Sequence, residues 1–248
     1  LALCSVGAMA ALPPISPANS IMCMNYDTTP TPITTTPPLA KPQDIAIDGI
    51  GDIFVVDSAR AELIRVDAED QSSTVLVGPD VLQIPVGLTI SPVHADLFIG
   101  DSNTSTIWWL QCKTRNSNYC EQYYPTPLNI SLQTSVHPQG LQMDGDEHLY
   151  IADFNGHRVL KRDSSTGTTS VILSAANMGD LAPANPFGPH DIAIDSSTHE
   201  LLVTDITNDD IWSLKCAVAS NPETPATSTF NDVSDMLPLN VCQLRSYQ

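Results

Sequence analysis

Basic residues are scarce in this chain. Lys and Arg number 10 against 28 Asp and Glu, a formal net charge of −18 over 248 residues. Nucleic acid and anionic lipid both select Lys/Arg-rich surfaces, so nucleic acid is excluded as a partner, while calcium or a basic protein stays compatible. Aromatics are few at 6%, so the basic and aromatic surface that binds RNA is missing as well. No apolar run reaches the ~18 residues of a membrane span. Signatures of local catalytic chemistry are also lacking. There is no G-x-S-x-G elbow, phosphate loop, Cys-x-x-Cys or His-Glu-x-x-His.

What is present points outside the cell. Six cysteines, an even number, accompany abundant Ser, Thr and Pro, a pattern of oxidising, extracellular compartments. Two sequons, Asn103-Thr104-Ser105 and Asn129-Ile130-Ser131, make Asn103 and Asn129 the expected N-glycan acceptors. Residues 1–41 form an N-terminal arm. Its apolar head carries Leu1, Leu3, Val6, Met9, Leu12 and Ile15, and the first ten residues end in small side chains as a signal peptide does. The Thr/Pro tract from Thr28 to Pro38 follows. Proline has no N–H for a ladder, so this tract is expected as an extended polyproline-like spacer. Thr28, Thr29, Thr31, Thr34, Thr35 and Thr36 are its expected O-glycan acceptors.

From residue 42 onward one pattern recurs four times. Pro42, Pro85, Pro138 and Pro189 each open a short apolar strand. A second apolar run follows and ends in Asp: Ile53–Asp57, Leu97–Asp101, Leu149–Asp153, Leu201–Asp205. Third strands follow at Leu63–Asp67, Ile107–Cys112, Val159–Asp163 and Ile211–Cys216. Odd copies end compactly (Ser73–Val77, Thr169–Leu173). Even copies end later, at Pro127–Ser131 and at 237–246. Self-similarity at roughly 40–50 residues signals a propeller, because one such unit cannot bury its own faces. The spacing predicts an all-β propeller of four four-stranded blades, about 42–83, 84–136, 137–187 and 188–248, with the arm 1–41 outside a closed ring.

The pattern Pro-x-[Gly/Asp]-[Ile/Leu]-x-[Ile/Met], then an apolar run ending in Asp, then Asn-x-[Arg/Thr/Asp]-[Val/Ile], resembles the NHL repeat. Asp153-Phe154-Asn155-Gly156-His157-Arg158-Val159 is its best copy. The resemblance covers about 42–218 and implies a propeller, usually of six blades. It also implies a test for enzymatic activity. Peptidylglycine α-amidating lyase, on this type of propeller, holds zinc with histidines that follow the opening proline of several blades. Here those positions are Gln43, Val86, Gln139 and His190. One His of four does not complete a three-ligand zinc site. His190, Asp191 and Asp44 are the residues that a metal at the channel mouth, such as calcium, would use.

Asp57, Asp101, Asp153 and Asp205 recur in every blade, as a turn does and a local site does not, so each is expected to accept N–H groups of the turn after its strand. Adjacent Trp108 and Trp109 point to opposite faces of their strand. One ring is then available for packing between blades and the other for a partner or a glycan. Six cysteines allow fifteen pairings. The repeat symmetry of Cys112 and Cys216 selects Cys112–Cys120 and Cys216–Cys242, with Cys4–Cys23 in the arm. The expectation is a secreted, glycosylated, non-enzymatic scaffold needing no cofactor. Identical subunits would join head to tail into a filament through the arm. A metal-dependent lyase- or lactonase-like propeller and a glycan- or small-ligand-binding propeller are the competing readings.

Overall fold

The computed structural model describes residues 32–116, 119–124, 128–130, 132, 134–195, 198, 200–216 and 242–247. The head of the arm, with Leu1, Leu3, Val6, Met9, Leu12, Ile15, Thr28, Thr29, Thr31 and the Cys4–Cys23 pair, lies outside the described residues.

Four antiparallel four-stranded sheets follow one another along the chain. Blade one is β1 (Pro42–Ile47), β2 (Ile53–Asp57), β3 (Glu62–Val66) and β4 (Ser73–Val77). Blade two begins with β5 (Pro85–Ile90), β6 (Leu97–Asp101) and β7 (Thr106–Leu110). A hairpin of β8 (Cys112–Asn116) and β9 (Tyr119–Tyr123) is then inserted before the outermost β10 (Leu128–Asn129). Blade three is β11 (Pro138–Met143), β12 (Leu149–Asp153), β13 (Arg158–Arg162) and β14 (Thr169–Ser174), followed by the single-turn α1 (Ala175–Met178). Blade four is β15 (Pro189–Asp195), β16 (Glu200–Asp205), β17 (Asp210–Cys216) and β18 (Cys242–Tyr247).

The repeated proline and the repeated aspartate turn out to be register partners: Pro42↔Asp57, Pro85↔Asp101, Pro138↔Asp153, Pro189↔Asp205. Each inner strand shifts register just after its proline, as expected of a residue with no N–H to donate. The turns between second and third strands share one geometry. Ala61, Ser105, His157 and Asp209, each just before the third strand, all have positive φ, between 51 and 58°.

Three hydrophobic clusters fill the three junctions between successive blades. Phe54, Val56 and Leu63 of blade one meet Leu88, Leu97 and Ile99 of blade two. Phe98 and Ile107 meet Leu141, Met143 and Ile151. Val159 and Leu173 meet Ile192, Val203 and Trp212. Among the described residues no comparable cluster joins blade four to blade one, so the described residues leave one face of blade one and one face of blade four uncovered. These faces are visible in individual side chains. Leu88, Leu141 and Ile192 are only 3, 3 and 4% exposed against the preceding blade, whereas the equivalent Ile45 of blade one is 58% exposed and its neighbour Ile47 55%. On the blade-four side, Leu63, Ile107 and Val159 are fully buried, and the equivalent Ile211 is 44% exposed.

The described outer strand of blade four is 242–247, which overlaps the expected 237–246. In blade two Leu128 stands opposite Trp109, and in blade four Arg245 stands opposite the equivalent Ser213. The C-terminal part of the arm is no free spacer. Thr36 N–H donates to Ser73 Oγ (2.9 Å), and the Ala40 and Lys41 N–H groups donate to the Asp57 carboxylate, pinning this segment to blade one.

Candidate functional site

The four buried second-strand aspartates are each spent on backbone geometry. Asp57 accepts from Lys41, Ala59 and Arg60 N–H at 3.0–3.1 Å and from Ala40 N–H at 2.5 Å. Asp101 accepts from Gln83, Ile84, Asn103 and Thr104. Asp153 takes His137 and Gly156 N–H and the Arg158 guanidinium. Asp205 takes Gly188, Thr207 and Asn208 N–H and the Trp212 indole. Each carboxylate thus caps its turn and also clamps the segment that leads into its own blade. Burial alone would raise the Asp57 pKa, but the four N–H donors together carry it below the usual carboxylate value.

The inner strands carry Gln43-Asp44, Val86-Gly87, Gln139-Gly140 and His190-Asp191 at equivalent positions. Backbones cross closely here. A Cβ on Gly87 would fall 2.1 Å from the Gln139 carbonyl oxygen, and one on Gly140 2.6 Å from Asp191 Oδ1. Asp44 uses the same crossing to bind its neighbour: Oδ2 accepts the Leu88 N–H of blade two at 2.7 Å, and Oδ1 accepts Ile45 N–H at 2.8 Å. Burial, with a contribution from the Asp191 charge, raises its pKa to about 6 despite those two donors. Asp191 accepts Ile192 N–H at 2.8 Å and meets no following blade among the described residues; His190 is exposed. Among the described residues no three His, Cys, Asp or Glu side chains gather closely enough to hold a metal ion.

Asn103 and Asn129 both lie at the surface, and so do Thr34 and Thr36. Thr35 is buried and its hydroxyl donates to the Pro37 carbonyl. Cys112 and Cys120 are bonded across the β8–β9 hairpin, with Cα atoms 5.7 Å apart. Cys216 and Cys242 stand directly opposite in the β17–β18 ladder, and their side chains lie outside the description. Trp108 packs toward the junction with blade one, and its buried indole N–H has no partner among the described residues. Trp109 turns the other way, stacks on Phe98 at 6.0 Å and donates to Asp96 at 2.8 Å. It lines a cleft of about 370 Å³ between blades two and three, which no single residue motif announces.

No family model matches this chain, and no curated protein matches it. Solved structures do. Virginiamycin B lyase from Staphylococcus aureus is 16% identical, covering 71% of this chain and 53% of that one, with a TM-score of 0.54. A streptogramin B lyase is 17% identical over 74% of this chain and 54% of its own length, at 0.53. A chain of a nidogen/laminin complex is 19% identical over 71% and 60%, at 0.55. The chain therefore has a β-propeller fold and spans about half the length of the propellers it matches. The same fold serves a lyase and a protein–protein complex, so the likeness itself does not choose between them.

Proposed function

We propose that the chain is a secreted, NHL-type propeller acting as a non-enzymatic interaction scaffold, and that its copies join head to tail through the uncovered blade faces. The observation that carries this reading is the exposure of Ile45, whose equivalents Leu88, Leu141 and Ile192 are interior, together with that of Ile47, whose equivalents Ile90, Met143 and Ile194 are half-buried or buried. Burying an isoleucine stabilises by roughly 1.5–3 kcal/mol, so a covering partner is strongly favoured. That partner is a second copy. Its N-terminal arm brings apolar residues of matching size (Leu1, Leu3, Val6, Met9, Leu12, Ile15), and backbone pairing at a strand edge would set their register. Such a contact uses different surfaces on its two sides and extends without closing. The non-enzymatic part of the reading is supported by the four repeated carboxylates, each engaged with backbone donors, and by the single histidine among four equivalent positions. Glycans on Asn103 and Asn129 belong to the same reading, and an intact mass equal to the bare 26.7 kDa after secretion would contradict it.

A second reading keeps the partner and changes the contact: blade four of one copy covers blade one of the next. Ile211 favours it, exposed where Leu63, Ile107 and Val159 are interior. Sedimentation velocity tests both. The full chain should grow in size with concentration, and the double substitution Ile45→Asp/Ile47→Asp should leave a monomer. Deleting residues 1–27 abolishes growth if the arm makes the contact, and Ile211→Asp abolishes it if blade four does. A wild-type chain that stays monomeric at high concentration overturns the proposal.

A further inference from the structure

The four third strands are equivalent position by position, which makes one residue stand out. Counted from Leu63, Ile107 and Ile211, the fourth place of this motif holds Val66, Leu110 and Leu214, all buried and paired with Ile53, Leu97 and Leu201. In blade three the same place holds Arg162, on the face that packs against blade two. Its Nε is buried with no hydrogen-bond partner, and no ion pair reaches its guanidinium among the described residues. The chain has 28 acidic and 10 basic residues, and Arg115, which also lacks a carboxylate partner among the described residues, donates instead to the Val93 carbonyl. Arg60, Arg65 and Arg158 are each paired with a carboxylate. Thr169, directly opposite Arg162 in the ladder, also has a buried hydroxyl oxygen without a partner among the described residues. Arg162 is half-buried, and a buried guanidinium nitrogen without a partner costs stability that a group from outside the chain would recover.

Arg162 lines the cleft between blades two and three. Trp109, Phe98, Met143 and Leu149 give the cleft apolar walls, and His94, Ser164 and two carboxylates, Glu147 and Asp96, add polar groups, Asp96 being engaged by the Trp109 indole and the Cys112 N–H. The Glu147 carboxylate is held in place by Ser91 Oγ at 2.7–2.9 Å and by His94 Nδ1 at 3.1 Å. A guanidinium demands a carboxylate, partly exposed aromatic and apolar walls suit the C–H face of a sugar ring, and the polar groups suit hydroxyls. About 370 Å³ is room for one or two sugar units. The geometry points to a binding site for an acidic sugar, a uronic acid unit, with Arg162 as the carboxylate anchor. The site is independent of the uncovered blade faces and of self-assembly.

The test is titration of the Ile45→Asp/Ile47→Asp chain, kept monomeric, and of the wild type with methyl glucuronide, followed by protein NMR. Saturable binding with shifts at the Trp109 indole is expected, and methyl glucoside should bind at least about tenfold more weakly, as loss of a charge-assisted bond dictates. Arg162→Leu restores the residue found in blades two and four and so should fold. It should weaken glucuronide binding by at least about tenfold and leave glucoside binding unchanged. Trp109→Phe should weaken both sugars. Absence of saturable glucuronide binding, or an Arg162→Leu chain that binds it as tightly as wild type, overturns the site. Benzoate binding as tight as glucuronide would overturn the assignment to sugars.

Discussion

Ile45 and Leu141 hold the same place in their blades, yet one is a surface residue and the other is core. Nothing local distinguishes them: both follow the opening proline by three residues, and both sit in an inner strand paired to an apolar second strand. The difference is the blade before them. Leu141 packs on Phe98 and Ile107, whereas Ile45 has no preceding blade among the described residues. A propeller blade is therefore half a core, and its interior is defined by its neighbour. Asp44 and Asp191 repeat the lesson in polar form. Asp44 bridges to the Leu88 N–H of the following blade, whereas among the described residues the Asp191 carboxylate accepts only from Ile192 N–H of its own strand.

The largest effect should come from the clamps common to all blades. Asp57→Ala removes the acceptor for four N–H groups, two of them from the segment leading into blade one, and should cost about 3–5 kcal/mol in urea unfolding. A loss under 1 kcal/mol would show the clamp to be dispensable. Next comes the pair that defines the comparison. Leu141→Ala should cost about 2–5 kcal/mol. Ile45→Ala in dilute, monomeric protein should cost under about 1 kcal/mol, as surface changes do. Equal losses would mean that Ile45 is covered within its own chain.

The parts of this architecture that were legible in the sequence are those that act through the backbone of one blade. The proline without an N–H and the aspartate that accepts N–H groups recur because every blade has the same register and the same turn. Closure was not legible, since it depends on the angle between blades rather than on any residue within one. The β8–β9 hairpin was hidden because Cys112 continues the β7 pattern, so insertion and strand look alike. Arg162 could have been found: aligning the third strands sets it against Val66, Leu110 and Leu214. Arg at a strand end is ordinarily a solvated residue, which masks the signal. Trp109 was narrowed to one of two rings, and only the cleft shows what that ring faces.

Smaller effects sharpen the same contrast. Asp44 has its folded pKa raised from 3.8 to about 6, so its contribution to stability is fully present below pH 3.8 and is lost as pH rises through about 6. Stability measured from pH 4 to 7 should therefore lose a falling component in Asp44→Asn, and an unchanged profile would show that Asp44 titrates normally. Asp57, with its pKa lowered, works in the opposite sense: its contribution is present above the ordinary carboxylate pKa and is lost in more acidic solution. Smallest is Ala61→Gly. Ala61 holds φ at 54°, a conformation glycine adopts without penalty, so the substitution should stabilise blade one by up to about 1 kcal/mol. A destabilised variant would mean that the Ala61 side chain packs more usefully than its backbone strains.

The central claim is that a second copy covers the free face of blade one. A photoreactive phenylalanine analogue placed at Ile45, in an equal mixture of isotopically light and heavy protein, reads this directly. The account predicts crosslinked peptides that pair light with heavy, joining residue 45 of one copy to residues 1–27 of another. Light–heavy adducts to the blade-four strand around Ile211 would support the blade-on-blade contact instead. Crosslinks confined to single isotopes, or none at all under conditions where the chain sediments as an assembly, would contradict it.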